Sequence, residues 1–235
     1  MKTIQEIHKK LQILGDPQQA RNLQRFFKTG PGEYGEGDVF VGLKVPETRK
    51  LAREYQALPM PTIIRLLRSP IHEARLLALL IWVQACQRGD SDTQKKICRL
   101  YLENTRYINN WDLVDLSAPQ IVGPQLKRLS EDRLQILAAS PWLWDRRIAV
   151  LATFYGIKQG EFSEALHISE WLLQDPEDLI HKAVGWMLRE IGKRDQNTEE
   201  SFLKIHYQNM PRTMLRYAIE RFPEELRQRY LKGKV

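Results

Sequence analysis

The segment Arg75-Leu76-Leu77-Ala78-Leu79-Leu80 decides the fold of this 235-residue chain, because it is the clearest copy of a recurring pattern. In every copy a basic residue comes just before an apolar helical stretch. The copies recur about every 35 residues, except that the gap between the copies at Arg75 and Arg147 spans two periods. A period of about 35 residues is typical of stacked helix pairs. The pattern therefore predicts an all-α fold, an α-solenoid that forms a single domain over residues 1–235. The further copies are Arg147-Ile148-Ala149-Val150-Leu151, Lys182-Ala183-Val184-Gly185-Trp186-Met187-Leu188 and Arg212-Thr213-Met214-Leu215-Arg216-Tyr217-Ala218-Ile219.

The imperfect spacing is typical of degenerate HEAT-like repeats, whose equivalent faces line one concave surface. The bases of successive copies are then expected along one groove. Lys and Arg number 36 against 29 Asp and Glu, a net charge of +7, which favours a polyanionic partner such as nucleic acid. For the C-terminal arginines, a solvated face is the alternative to a contact with phosphates. The candidate nucleic-acid-binding residues are Arg75, Arg147, Lys182, Arg212 and Arg216.

The least helical part of the chain precedes the repeats. Within residues 28–44 lies Thr29-Gly30-Pro31-Gly32-Glu33-Tyr34-Gly35-Glu36-Gly37-Asp38, whose glycines and proline predict a loop. From Pro46 onward the apolar periodicity predicts helices to the end of the chain. The pairs Ser69-Pro70 and Ser140-Pro141 are typical of an N-cap followed by the first helical residue.

Other classes of site have no support in the sequence. There is no GxxxxGK[ST] or HExxH motif, and Cys86 and Cys98 do not form a CxxC pair, so neither a metal nor a cofactor is expected. The two cysteines are expected to be reduced thiols. The N-terminal residues lack the apolar region of a signal peptide, and no apolar run is long enough to cross a bilayer. A cytoplasmic monomer with no membrane association is therefore expected.

One segment carries the residues that suggest chemistry, namely Asn109-Asn110-Trp111-Asp112-Leu113-Val114-Asp115-Leu116-Ser117-Ala118-Pro119. Trp111 and Asp115 are four positions apart and share one face of a helix. An acid beside an indole suits a cationic ligand or a transition state that develops positive charge. Asn110 is a candidate cap and Asp112 a first-turn acid. The alternatives are a core position for Trp111 and an ion pair with Arg147 for Asp115.

Three motifs together resemble the bacterial DNA alkylation repair glycosylases of the AlkD type. They are Asn-Trp-Asp-Leu-Val-Asp at 110–115, Trp-Asp-Arg-Arg-Ile-Ala at 144–149 and His-Lys-Ala-Val-Gly-Trp-Met-Leu-Arg-Glu at 181–190. The similarity extends from about Pro46 to Phe222. Each motif alone is weak, whereas their order and spacing are specific.

The resemblance implies an activity and a set of site residues. It implies hydrolysis of the N-glycosidic bond of N3- or N7-alkylated purines in double-stranded DNA, without a cofactor. It implies that Asp115 is the catalytic carboxylate, that Trp111 and Trp186 flank the lesion, and that Arg147 contacts a phosphate.

One region departs from the family pattern. Family members that excise bases have a helix after the second helix, where this chain has the Gly-rich loop, and Phe26 stands where an aromatic hydroxyl is expected. Some members of the family keep the catalytic residues but lack excision activity. A non-catalytic DNA-binding protein is therefore the first alternative, and a protein-interaction scaffold is the second.

Overall fold

The structure is a computed structural model, and it describes residues 3–128 and 131–235. The described residues form sixteen α-helices. They are α1 Ile4–Leu14, α2 Pro17–Phe26, α3 Val45–Glu54, α4 Met60–Leu67, α5 His72–Arg88, α6 Ser91–Leu102, α7 Trp111–Asp115, α8 Ala118–Ile121, α9 Glu131–Ala138, α10 Leu143–Ala152, α11 Phe154–Lys158, α12 Ser163–Trp171, α13 Asp178–Gly192, α14 Gln196–His206, α15 Arg212–Ala218 and α16 Glu224–Leu231.

The predicted all-α fold class is confirmed. Short 3₁₀ segments complete the helical structure at Thr105–Tyr107, Gly123–Arg128 and Ile219–Arg221. Extended pairing within the described ranges is limited to one bridge, between Val39 and Ile71. The helices form two compact units, Met1–Ile121 and Val122–Val235. The predicted run of helices from Pro46 also covers residues 129 and 130, which lie outside the described residues.

Helix α5 forms the core of the first unit. It packs against α3, α4, α6 and α8, and its residues are buried almost all the way round. A helix that is apolar on every side belongs inside a domain. Each fully buried Leu of α5 contributes about 1.5–3 kcal/mol to folding. Its buried residues also include three charged or titratable ones, His72, Glu73 and Arg75, all in the first turns.

The prediction that Ser69 and Ser140 cap helices is wrong. The N-cap of α5 is Ile71 and that of α10 is Trp142, so each helix begins two residues later than predicted. Each serine instead binds the amide of the N-cap residue, just before the helix. Ser69 Oγ accepts a hydrogen bond from the Ile71 amide at 3.2 Å. Ser140 Oγ accepts one from the Trp142 amide at 3.1 Å. Both serines therefore stabilise the turn that leads into the helix.

Helix α13 is the core of the second unit, where it packs against α10, α12, α14 and α15. Gly185 allows α15 to come close, because a Cβ at this position would lie 2.4 Å from the Met214 carbonyl oxygen. Gly192 plays a similar part at the C-terminal end of α13. A Cβ there would overlap the Glu199 carboxylate of α14.

Glu199 makes the stability of the second unit sensitive to pH. It is 2% exposed, and burial, followed by the nearby Glu200 charge, raises its pKa to about 8. A carboxyl group whose pKa is raised on folding stabilises the fold fully below its unfolded pKa. That contribution is lost as the pH rises through the folded value.

We therefore expect Glu199→Gln to increase the free energy of unfolding relative to the wild type at pH 9. This increase should exceed the one at pH 5 by on the order of 2 kcal/mol. Urea unfolding of both proteins at the two pH values measures this difference. Glu225→Gln, at an exposed position of α16, is the matched control and should leave the pH dependence unchanged. An unaltered pH dependence in Glu199→Gln would show that Glu199 is ionised in the folded state.

The predicted loop is an irregular segment that is attached to α5. The amides of Val41, Gly42 and Leu43 all donate to the buried Glu73 carboxylate, with the shortest bond, from Gly42, at 2.8 Å. Gly42 has a φ of 87°, and a Cβ there would lie 2.0 Å from the Asp16 carbonyl oxygen. Only glycine fits this position, which brings the loop against the start of α2.

Candidate functional site

Helix α7 is a five-residue helix that carries two of the predicted catalytic residues, Trp111 at its start and Asp115 at its end. Asn110 is its N-cap, as predicted, and its side-chain oxygen accepts a hydrogen bond from the Trp111 amide at 2.8 Å. Asp112, Leu113 and Val114 are buried, whereas Trp111 and Asp115 are half-buried. The indole and the carboxylate therefore share the accessible edge of the helix.

The Trp111 indole is held by two phenylalanines from the end of α2. The Phe27 ring stacks on it at a centroid distance of 5.0 Å and an interplanar angle of 26°. The Phe26 ring meets it edge-on at 5.8 Å, and Phe26 itself is 62% exposed. Such contacts contribute about 0.5–1.5 kcal/mol each beyond area burial. The indole is thus anchored on one side by Phe27 and lies beside an exposed ring.

A buried chain of charged groups lies behind α7, and the sequence does not predict it. The His72 ring lies between two carboxylates, with Nδ1 at 3.0 Å from Asp38 Oδ2 and Nε2 at 2.9 Å from Asp112 Oδ2. Arg75 Nη2 donates to Asp38 Oδ1 at 2.5 Å. All four residues are less than 7% exposed. The one available signal was a histidine in the first turn of an apolar helix, and it does not identify partners that are 34 and 40 positions away.

The charges of these four buried residues balance when His72 is protonated. Burial by itself lowers the pKa of His72, but the Asp112 charge and the hydrogen bonds with Asp112 and Asp38 outweigh it and raise the pKa to about 9. For Asp38 burial acts in the opposite direction and by itself raises the pKa. The His72 hydrogen bond and the Arg75 charge outweigh this and bring the pKa of Asp38 below its usual value. At neutral pH two cations therefore face two carboxylates.

Arg75 is placed by the structure in the interior, and this argues against its predicted role as a DNA contact. The side chain is 4% exposed. Its guanidinium group donates to Asp38 and to the carbonyl oxygens of Ser69 and Pro70, at 3.1 and 3.2 Å. A phosphate cannot approach a group that is enclosed in this way. The sequence pattern located a base at the start of an apolar helix but not the direction of its side chain.

Trp186 lies on α13 in the second unit and is half-buried. Its Nε1 donates to Glu190 Oε1 at 3.2 Å, and the Phe154 ring lies 5.8 Å away. Burial raises the pKa of Glu190, but its hydrogen bonds with Lys193 and Arg194 outweigh this and lower it. Trp186 therefore has an ionised acid four positions after it, and Trp111 has Asp115 at the same spacing.

Arg147 and its neighbour Arg146 have different environments within the second unit. Arg147 is 5% exposed and donates to the Leu179 carbonyl oxygen at 2.5 Å. Arg146 forms an ion pair with Asp175, with Nε 2.6 Å from Oδ2. The predicted phosphate contact of Arg147 stays a prediction, and its low exposure leaves little of the guanidinium group accessible.

The other predicted DNA-binding residues are more accessible. Lys182 on α13 is half-buried and forms an ion pair with Asp178 at 2.7 Å. Arg212 and Arg216 are exposed on α15, which packs on α13. Arg212 donates to the Leu231 carbonyl oxygen at 2.6 Å. The two exposed arginines are the members of the predicted set that a polyanion reaches most directly.

Among the described residues, no three His, Cys, Asp or Glu side chains form a group that could hold a metal ion. No helix in the described ranges is both long enough and apolar enough to span a membrane.

Comparison with known proteins gives the chain its family. The model of the family described as DNA alkylation repair enzyme matches residues 7–222. A solved structure, the predicted DNA alkylation repair enzyme from Enterococcus faecalis, superposes with a TM-score of 0.68 at 18% sequence identity, over 91% of this chain and 99% of that chain. No curated protein matches. Because the family model spans nearly the whole sequence, the chain belongs to the DNA alkylation repair enzyme family.

Proposed function

We propose that this protein is a DNA glycosylase that removes cationic alkylpurines, such as N3-methyladenine and N7-methylguanine, from double-stranded DNA. The observation that supports this most strongly is the accessible edge of α7, which carries an indole and a carboxylate together. Family membership supports DNA repair as the wider role, and the net charge of +7 suits a DNA partner.

The chemistry requires few groups. An alkylated purine already carries a positive charge, so it leaves as a neutral base without a general acid. The barrier that remains is the oxocarbenium-like sugar, which a nearby carboxylate stabilises while it orients the attacking water. We assign both tasks to Asp115. The bond between the sugar carbon and the purine nitrogen breaks, and its electron pair leaves with the purine and neutralises it. The water oxygen bonds to the same sugar carbon and loses one proton to solvent.

The indoles are assigned to binding of the cationic nucleotide. A cation over an indole face gains about 0.5–2 kcal/mol, and the Phe27 ring keeps the Trp111 indole in place for that contact. Trp186 keeps the same predicted role, and Arg147 the predicted phosphate contact. Lys182, Arg212 and Arg216 are proposed to contact the DNA backbone, which gives affinity without sequence preference.

Base release from methylated duplex DNA tests the proposal. The wild-type protein is expected to release free N7-methylguanine, quantified by chromatography, faster than spontaneous depurination of the same duplex. Asp92→Asn, at an exposed acid in the first turn of α6, is the matched control and should release base at the wild-type rate. Release no faster than the protein-free duplex would overturn the glycosylase assignment.

A second candidate function is DNA binding without base excision. It is favoured by the irregular segment between α2 and α3, which lies where the resemblance places a helix in family members that excise bases. Its signature would be binding whose affinity falls steeply with salt, together with no base release. Binding that is independent of salt would contradict both candidates.

A further inference from the structure

The cap of α7 is continuous with the buried chain of charged groups. Asn110 and Asp112 each hold an amide of the helix start, because Asn110 Oδ1 accepts from Trp111 and Asp112 Oδ1 from Leu113, both at 2.8 Å. The other end of each side chain is also bound. Asn110 Nδ2 donates to Asp38 at 3.3 Å, and Asp112 Oδ2 accepts from His72.

Helix α7 depends on these contacts for its orientation. A helix of five residues has too few internal hydrogen bonds to be stable alone, so its position is set by tertiary contacts. The Asp38 carboxylate accepts from four donors, on Arg75, His72, Asn109 and Asn110, which uses all of its acceptor sites. Asp38 is therefore a fixed point, and it joins the end of the Gly-rich loop to the start of α7.

A second route from His72 to the site runs through aromatic rings. The His72 imidazole stacks on Phe40 at a centroid distance of 4.3 Å and lies 5.3 Å from Phe27. Phe27 in turn stacks on the Trp111 indole. A movement of the His72 ring thus reaches Trp111 by hydrogen bonds and by ring contacts.

We propose that the chain Asp38–His72–Asp112 is the positioning device of the candidate site, and that the proton on His72 keeps α7, with Trp111 and Asp115, in its working orientation. His72 is a positioning residue, since it acts through Asp112 and the Phe27 ring. The test of this role by base release rests on the proposed glycosylase function, whereas the test by the NMR signal of Trp111 does not.

The proton matters because of the two carboxylates. An imidazolium ring donates from both nitrogens, whereas neutral imidazole donates from only one. Loss of the proton leaves a lone pair facing Asp38 or Asp112 and an unbalanced buried negative charge. The charged groups that act on His72 are Asp38 from the loop, Asp112 from α7 and Arg75 from its own helix, while α2 contributes the Phe27 ring. The raised pKa of His72, about 9, agrees with this arrangement.

Two variants separate positioning from mere stability. His72→Gln removes the ring that donates hydrogen bonds from two nitrogens, one to each carboxylate. Asp112→Asn keeps the geometry, because its amide oxygen still accepts from Leu113 and its amide nitrogen donates to a neutral His72. The second variant should therefore keep α7 in place without the His72 proton.

The first readout is the NMR signal of the Trp111 indole in the full chain labelled with 5-fluorotryptophan, assigned with Trp111→Phe. In the wild type this signal is expected to shift with a midpoint near pH 9, in step with the His72 ring signals that vanish in His72→Gln. In Asp112→Asn the shift near pH 9 should be absent. A Trp111 signal that does not follow the His72 titration overturns the proposal.

The second readout is single-turnover base release at neutral pH. His72→Gln should slow release on the order of 10–100-fold, the effect of a misplaced catalytic group. Asp112→Asn should retain most of the wild-type rate. A His72→Gln protein that is less stable but releases base at the wild-type rate would contradict the proposal. It would show that the contacts between Asp38, His72 and Asp112 only stabilise the fold. If the wild type itself releases no base, the glycosylase proposal fails alone, because the Trp111 signal still tests the positioning.

Discussion

Asp115→Asn is expected to release methylated purines at a rate about 10²–10³-fold below that of the wild type, the usual loss when one electrostatic stabiliser of a transition state is removed. Asparagine has the shape of aspartate without its charge, so the variant tests the negative charge alone. Asp115 is half-buried on α7, which is compatible with stabilisation of a developing cation by the carboxylate. Single-turnover release from a methylated duplex measures the effect.

The outcome depends on folding being intact, which circular dichroism and urea unfolding of the same preparations establish. DNA binding by Asp115→Asn should remain close to that of the wild type, because the proposed role of the carboxylate is in the transition state. A variant that keeps the wild-type release rate would move the catalytic role away from Asp115. The neighbouring Asp112 is not a substitute, because its carboxylate is occupied by His72 and the Leu113 amide.

Arg75→Met is expected to lower the free energy of unfolding by about 3–5 kcal/mol, because it leaves the buried Asp38 carboxylate without its guanidinium partner. Two carbonyl oxygens, those of Ser69 and Pro70, also lose their donor. Urea unfolding at pH 7 measures the loss. Any effect on DNA binding should disappear when the comparison is limited to folded protein.

Arg216→Met is the matched variant for the opposite expectation. Arg216 is exposed on α15, so its removal should change stability by less than about 0.5 kcal/mol. It should instead weaken DNA binding and reduce the slope of affinity against salt by about 1. Equal stability of Arg75→Met and the wild type would contradict the structural role of Arg75. An unchanged salt slope in Arg216→Met would remove Arg216 from the proposed DNA contacts.

The helices could be predicted from the sequence because their signals are local. A continuous apolar run marks α5, apolar residues recur with the helical period in α13, and Asn110 caps α7 as its side chain suggests. The Gly-rich segment was likewise recognisable as a loop. The exact helix starts were less predictable, as Ser69 and Ser140 show, because a serine before a proline suits a preceding turn as well as a cap.

The sequence by itself determined the all-α class and the presence of an indole and a carboxylate on one edge of α7, since each depends on residues close together in the chain. It also determined the family, through the order and spacing of three motifs. Only the tertiary structure decided that Arg75 points inward and that His72 joins Asp38 to Asp112. The physical reason is that a charged side chain at the start of an apolar helix is compatible with solvent or with a buried partner. The choice depends on carboxylates that the fold brings from distant parts of the chain.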